Sequence, residues 1–230
     1  MTSNAHAPKT SKGLETRVAV VTGGHTFDVP NFHRLFRDLE GVDPYIQSID
    51  DFAASPKEVR QSYDAIVFFI MMLPSPEDEG HEWYAGKPLT ALSELGEVPQ
   101  GIVIFHHALF AYPQWPQWDE IVGISNRKGG YELGVRVTTN VALDHPITRG
   151  SGSCTMIDET YTLPNASEGS QILLTCQHSS SMKTLAWIRQ YRQSRVFCYQ
   201  GGHDNSAWSQ PTFREVLRRG ILWSADRLST

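Results

Sequence analysis

The sequence predicts an α/β fold, doubly wound about a mostly parallel sheet, and three observations predict it. The runs Val18-Ala-Val-Val, Ala65-Ile-Val-Phe-Phe-Ile and Ile102-Val-Ile-Phe are apolar throughout rather than alternating, which suits strands covered on both faces. Segments with helical spacing separate them. From Arg17 to Ile124 the elements therefore read β-α-β-α-β-α-β-α, the order that builds a parallel sheet with crossover helices on both sides. After Gly129-Gly130 the pattern changes to short strand-like runs with few helical intervals, which predicts antiparallel or mixed strands added in the C-terminal half.

Arg17 to Thr22 is the first strand, closed by Gly23-Gly24-His25. A helix starts near Pro30, with Phe32, Leu35, Phe36 and Leu39 at i, i+3, i+4 and i+7; proline suits a first helical turn, where its missing donor is not needed. Tyr45 to Ile49 is the second strand. Ser55-Pro-Lys-Glu58 has capping-box spacing and predicts a short helix. Ala65 to Met72, hydrophobic throughout, is a central strand. Lys87 to Leu95 reads as a helix ahead of the Ile102 strand, and Trp115 to Ile124 as another.

Leu133–Thr139, Gln171–Gln177, Leu185–Ile188 and Arg195–Gln200 are the later strands. Pro211 to Leu228 is a final helix with Phe213, Val216, Leu217, Ile221 and Leu222 on one stripe. No internal repeat or interdomain linker interrupts the chain. The expected organisation is a disordered leader over residues 1–15 and one domain over 16–230.

Composition narrows the function classes. Charged residues make up 20% of the 230 positions and the net charge is −5. With no Lys/Arg cluster, this argues against nucleic-acid binding. Nothing approaches the roughly 20 apolar residues that cross a bilayer. The three cysteines, Cys154, Cys176 and Cys198, form no CxxC pair, which argues against a disulfide framework and for a reducing, cytoplasmic setting.

The candidate chemistry lies at strand ends. Three strand-like runs end in histidine: His25 after the first, His106-His107 after Ile102-Val-Ile-Phe, and His203-Asp204 after Val196-Phe-Cys-Tyr-Gln-Gly-Gly. In open parallel sheets ligands bind beyond the carboxyl ends of the strands, so these imidazoles are expected on one rim. His106 occupies the place of a nucleophile elbow, a strand that stops at a reactive side chain, yet holds neither Ser nor Cys. Histidine there suits proton transfer or metal ligation. Asp158-Glu159, with Tyr161 two residues on, could supply a base or orient a histidine; a solvated pair is the plain alternative, and in a strand only one of two adjacent carboxylates is expected to face the site. Tyr199 and Trp208 are candidates to stack on a sugar ring. Asp144-His145-Pro146-Ile147 reads as a structural turn with Ile147 buried. No HxxxH or HExxH spacing is present, so a metal site would have to be assembled from distant strand ends; a zinc site needs three ligands and an open position.

Taken in order, Val18-Ala-Val-Val-Thr-Gly-Gly-His25, Gly101-Ile-Val-Ile-Phe-His106, Asp144-His-Pro-Ile-Thr-Arg-Gly150, Asp158-Glu159, Ala186-Trp-Ile-Arg-Gln-Tyr191, Gly202-His-Asp204 and Arg219-Gly-Ile-Leu-Trp223 resemble the ThuA-like (trehalose utilisation) family. The resemblance spans nearly the whole chain after residue 15. It implies a flavodoxin-like sheet of the class I glutamine amidotransferase type and a link to sugar use, including keto-disaccharides. It also implies that His106 replaces the amidotransferase cysteine, so the protein is not a glutaminase, and that His203-Asp204 stand where the terminal catalytic His and acid would be. The chain departs from common members at Glu97-Val-Pro-Gln-Gly101, where a triple glycine is frequent, and at Gly129-Gly-Tyr-Glu132, where many carry a further histidine.

The expected function is an enzyme of carbohydrate metabolism acting on a sugar or keto-sugar by histidine acid–base or metal-assisted chemistry. His106, His203, Glu159 and Asp204 are its catalytic candidates, and His25, His107, Tyr199 and Trp208 its substrate contacts. The cofactor is open, a divalent metal included. The expected partner is a sugar-like small molecule, without nucleic acid or membrane. Trp83, Tyr84, Tyr112, Trp115 and Trp118 are candidates for a lid or a homodimer face. The alternatives are a non-catalytic sugar-binding or accessory protein and a hydrolase using metal-bound water.

Overall fold

The computed structural model describes residues 15–80 and 82–228; the leader expected over 1–15 lies almost entirely outside them. In chain order the elements are β1 (Thr16–Gly23), α1 (Val29–Arg37), β2 (Val42–Ser48), α2 (Ile49–Ala54), α3 (Lys57–Arg60), β3 (Ala65–Ile70), α4 (Pro88–Ser93) and β4 (Gly101–Phe105). A 3₁₀ turn over His106–Phe110, α5 (Pro116–Val122), β5 (Tyr131–Val141), β6 (Cys154–Tyr161) and β7 (Gln171–Thr175) follow. β8 (Thr184–Tyr191), β9 (Ser194–Tyr199), α6 (Asn205–Trp208) and α7 (Pro211–Ser224) complete the elements of the described residues.

The strands form one nine-stranded sheet in the order β2-β1-β3-β4-β9-β8-β7-β5-β6. The first five in that row are parallel, and the other four join antiparallel. With β9 as the fifth parallel strand, the order is that of flavodoxin-like sheets. β2 is an edge strand, which is where its Pro44, with no N–H to give a neighbour, is tolerated.

Successive residues of a strand point to opposite faces, and the sheet is covered on both. Val18 and Val20 pack with Phe32, Phe36 and Val216 from α1 and α7. Ala19 and Val21 pack with Phe52, Leu92 and Trp118 from α2, α4 and α5. Every residue of β3 and β4 is buried, as their uninterrupted apolar runs predict.

The differences from the sequence-based expectation have identifiable causes. Helix α2 is additional to the expected elements, although Ser48 and Asp51 carry its signal: the Ser48 hydroxyl accepts from the Asp51 N–H at 3.0 Å, an N-cap. The acidic step at Asp158-Glu159 lies within a full strand, β6, which pairs with β5 from Thr139↔Cys154 to Tyr131↔Tyr161 across a bulge at Glu132/Val135. Two lid candidates belong to the core. Trp118 is fully buried, with its indole N–H on the Ala108 carbonyl at 3.0 Å, and Tyr112 is buried beside it. Trp83 and Tyr84 are exposed. Ile147 is buried as the turn reading expects, and His145 Nδ1 accepts from its N–H.

Candidate functional site

Strand register brings the rim together. Phe105 pairs with Tyr199, so the next residues, His106 and Gln200, leave the sheet side by side. His106 has φ of 55°, the left-handed region that a bulky residue rarely enters. The strained turn carries the chain from β4 directly into the 3₁₀ segment and holds the imidazole at the strand tip, the arrangement of a nucleophile elbow.

The His106 ring is fully buried and its Nδ1 lies 2.7 Å from the Gln200 carbonyl. A carbonyl only accepts, so Nδ1 carries a proton. The opposite nitrogen, Nε2, faces three groups: Glu159 Oε2 at 2.9 Å, the Tyr161 hydroxyl at 2.7 Å and His203 Nδ1 at 3.3 Å. Glu159 Oε2 in turn lies 3.1 Å from His203 Nδ1 and accepts from the Tyr161 hydroxyl at 2.9 Å.

Glu159 and Tyr161 come from one face of β6, two residues apart. Asp158 points the other way, yet it belongs to the site as well. It accepts from the Gly202 N–H at 2.7 Å, the His203 N–H at 3.0 Å and the Glu159 N–H at 2.9 Å, and so fixes the loop that carries His203. Gly202, with φ of 111° and no room for a Cβ against Phe105 and Phe213, allows the chain to pass this point. Glu159 is the carboxylate that faces the imidazoles, and Asp158, on the other face of the strand, orients the backbone beneath them.

The electrostatics follow from these contacts. Burial pushes the Glu159 carboxyl upward, but hydrogen bonds with His106 and His203 outweigh it and hold Glu159 well below the usual carboxylate range. The bond to Glu159 raises His203 above its ordinary value against the opposing effect of burial. Burial raises Asp158, with His106 and the backbone donors acting in the opposite direction. Burial and the Glu159 charge raise Tyr161, which therefore remains an O–H donor.

A cavity of about 520 Å³ opens on this cluster, bounded by Glu159, Tyr161, His203, His25, His107 and Tyr131. His25, on the cavity wall, donates its Nδ1–H to the Thr26 carbonyl at 2.6 Å. Its ring stands edge-on to His107, with centroids 4.6 Å apart. His107 packs against Phe69, and neither of its nitrogens has a partner. Burial and the nearby imidazoles lower it to about 2, so it is a neutral wall of the cavity rather than a proton carrier.

Three candidates from the sequence lie elsewhere. Tyr199 is buried in the core, stacked on Phe213, because its direction along β9 is that of the α7 face. Trp208 is also buried, packed on Phe32, with its indole N–H on the Gly202 carbonyl at 2.8 Å. Neither can stack on a sugar. Asp204 is the exposed N-cap of α6 and accepts from the Ser206 N–H at 2.7 Å; the acid beside His203 Nδ1 is Glu159 instead. Tyr161 is the functional candidate to which the sequence alone assigns no role. Its signal is the two-residue spacing from Glu159, which is readable once β6 is recognised as a strand.

Among the described residues, His106, Glu159 and His203 form a group able to hold a metal ion, each offering one donor atom. His107 does not join it.

The model of the family described as ThuA, trehalose utilisation, matches residues 18–224. The chain belongs to the ThuA family. Its architecture matches that of a ThuA-like protein from Parabacteroides merdae, with a TM-score of 0.69 at 17% identity over 94% of this chain and 92% of the other. A ThuA-like protein from Bacteroides uniformis gives 0.66 at 17% identity over 95% of both chains. A cytoplasmic protein from Salmonella typhimurium gives 0.62 at 12% identity over 90% of this chain and 98% of the other. These likenesses establish the fold, with its parallel core and added antiparallel strands. No curated protein sequence matches the chain. Among the described residues no helix is long and apolar enough to cross a membrane. Membership of the ThuA family gives the protein a carbohydrate-related setting.

Proposed function

We propose that this ThuA-family protein is an enzyme that binds a sugar or keto-sugar in the cavity above His106 and promotes proton transfer at one of its oxygen-bearing carbons. The observation that carries the reading is the convergence of His106 Nε2, Glu159 Oε2, His203 Nδ1 and the Tyr161 hydroxyl, joined by contacts of 2.7–3.3 Å, at the edge of a cavity large enough for a sugar.

With His106 Nδ1–H on the Gln200 carbonyl, Nε2 lies 2.9 Å from a carboxylate oxygen. Two lone pairs at that distance repel unless a positive charge stands between them. A cationic centre beside the cavity is what a developing alkoxide or enolate oxygen needs. Tyr161 gives its O–H to Glu159 Oε2 and steadies the carboxylate, and His25 is an imidazole on the cavity wall able to exchange a proton with substrate. The absence of cysteine or serine at the elbow turns the site away from covalent acyl transfer.

The test is turnover of a panel of reducing sugars, disaccharides and their keto derivatives, followed by NMR of the products. Wild-type protein is expected to convert at least one class, with the rate falling about 10²- to 10⁴-fold in His106→Ala and Glu159→Gln. Full turnover in either variant overturns the assignment. Ligand-induced thermal stabilisation with no product from any of these sugars overturns it in favour of a sugar-binding protein.

A further inference from the structure

We infer that the positive charge in this cluster is a metal ion: His106 Nε2, Glu159 Oε2 and His203 Nδ1 form a site for one divalent transition metal of the zinc class. The inference rests on the geometry of the three donors and stands independently of the substrate assignment.

The first argument is the fixed tautomer of His106. A metal-ligating imidazole characteristically gives its other N–H to a carbonyl or carboxylate, which orients the ring and points a lone pair at the ion. The Gln200 carbonyl at 2.7 Å does this for His106. Glu159 is similarly held, its backbone carbonyl taking the Gln200 side-chain N–H at 2.8 Å and its N–H bound to Asp158. The Asp158 carboxylate fixes the backbone of His203. All three donors thus have their own support, as a preorganised site requires.

The second argument is size. The donor triangle has edges of 2.9, 3.1 and 3.3 Å. A point about 2.0–2.1 Å from all three, the usual zinc–nitrogen and zinc–oxygen distance, lies about 1 Å out of their plane. An ion there would have its three protein ligands on one side and free positions on the other.

The third argument is chemistry and access. Two imidazoles and one carboxylate favour zinc, iron or manganese over magnesium or calcium, which prefer oxygen donors alone. His203, the half-buried member of the set, lines the 520 Å³ cavity together with Glu159, which supplies an entry path and room for a water or a substrate oxygen. Tyr161 gives its O–H to Glu159 Oε2 at 2.9 Å and so adds to the support of the carboxylate donor.

The experiment is isothermal titration of chelator-stripped full-length protein with ZnCl₂, MnCl₂ and MgCl₂, and X-ray absorption on the zinc-loaded wild type. One equivalent of Zn²⁺ or Mn²⁺ is expected to bind, with Mg²⁺ at least about 100-fold weaker. Affinity is expected to fall at least about 100-fold in His106→Ala, His203→Ala and Glu159→Gln, and to be unchanged in His33→Ala on the distant helix α1. The absorption spectrum should carry the multiple-scattering signature of two imidazoles, a readout that needs no variant to fold. No saturable binding, binding indifferent to the three ligand substitutions, magnesium bound as well as zinc, or a spectrum without imidazole each overturns the site and leaves a proton as the charge in the cluster. Because none of these readouts uses a substrate, failure of the sugar assignment would not affect them.

Discussion

The two halves of the sheet contribute different chemistry to one site. In the parallel half, β1, β3, β4 and β9 are buried on both faces, with β2 as its exposed edge, and the rim delivers the imidazoles of His25, His106, His107 and His203. The antiparallel half is more exposed: β5 alternates buried and exposed residues from Val135 to Thr139, and β6 provides the oxygens of Asp158, Glu159 and Tyr161. Neither half has a complete site. The nitrogens stand on a rigid platform whose residues are dictated by packing, while the oxygens come from strands added at one side of that platform. A site of this kind changes by altering the added strands while the platform stays in place, which is one way a single fold hosts unrelated chemistries.

The comparison predicts where substitutions are felt. The largest effect is expected in the platform. Phe105→Ala removes a ring packed among Phe69 and Phe213 and directly against the Gly202 loop, and should lower stability by about 3–5 kcal/mol, read as the urea midpoint of unfolding. A loss below about 1 kcal/mol would mean that the platform is not the stiff half.

The next effect tests the added half. Asp158→Asn keeps the shape but offers one acceptor oxygen where two serve three N–H donors, and should cost about 2–3 kcal/mol. It should also weaken zinc binding through the displaced His203. Wild-type stability in this variant would show that the carboxylate of Asp158 does not tie the two halves together.

The smallest is a pH effect confined to the platform rim. In metal-free protein His107 stays neutral down to about 2, whereas in the unfolded chain it takes a proton near ~6.5. Between those values the unfolded state binds more protons. The contribution of His107 to stability is therefore complete well above pH ~6.5 and lost as pH falls, by about 1.4 kcal/mol per pH unit. His107→Phe, which fills the same wall with no titrating group, should flatten the stability profile between pH 6 and 4 by that amount. Identical slopes for the two proteins would show that the imidazole is hydrated rather than dry.

The same division explains what can be read from the sequence. A fully buried strand is an unbroken apolar run, so β1, β3 and β4 and the histidines that end β1 and β4 are visible at once. His203 is readable for the same reason at the end of β9. The oxygens are harder. β6 mixes Cys, Thr, Met and two carboxylates, and only its pairing with β5 makes it a strand; Tyr161 becomes a partner of Glu159 after that. Tyr199 and Trp208 mislead because an aromatic near a site and an aromatic beneath it have the same composition. Which face of β9 a ring takes is decided by α7, whose Phe213 stacks on Tyr199. The extra helix α2 is marked only by Ser48 and Asp51, three positions apart.

One consequence follows from how far apart the converging groups are along the chain. His106 contacts Glu159 across 53 positions and His203 across 97. Closing loops of that length is among the slower and entropically more costly events in folding, and no local segment holds two of the three donors in place. A partly folded chain, or one still emerging from the ribosome before residue 203, therefore has no assembled cluster. The cluster is complete only when β6 has been brought over the rim that β4 and β9 form.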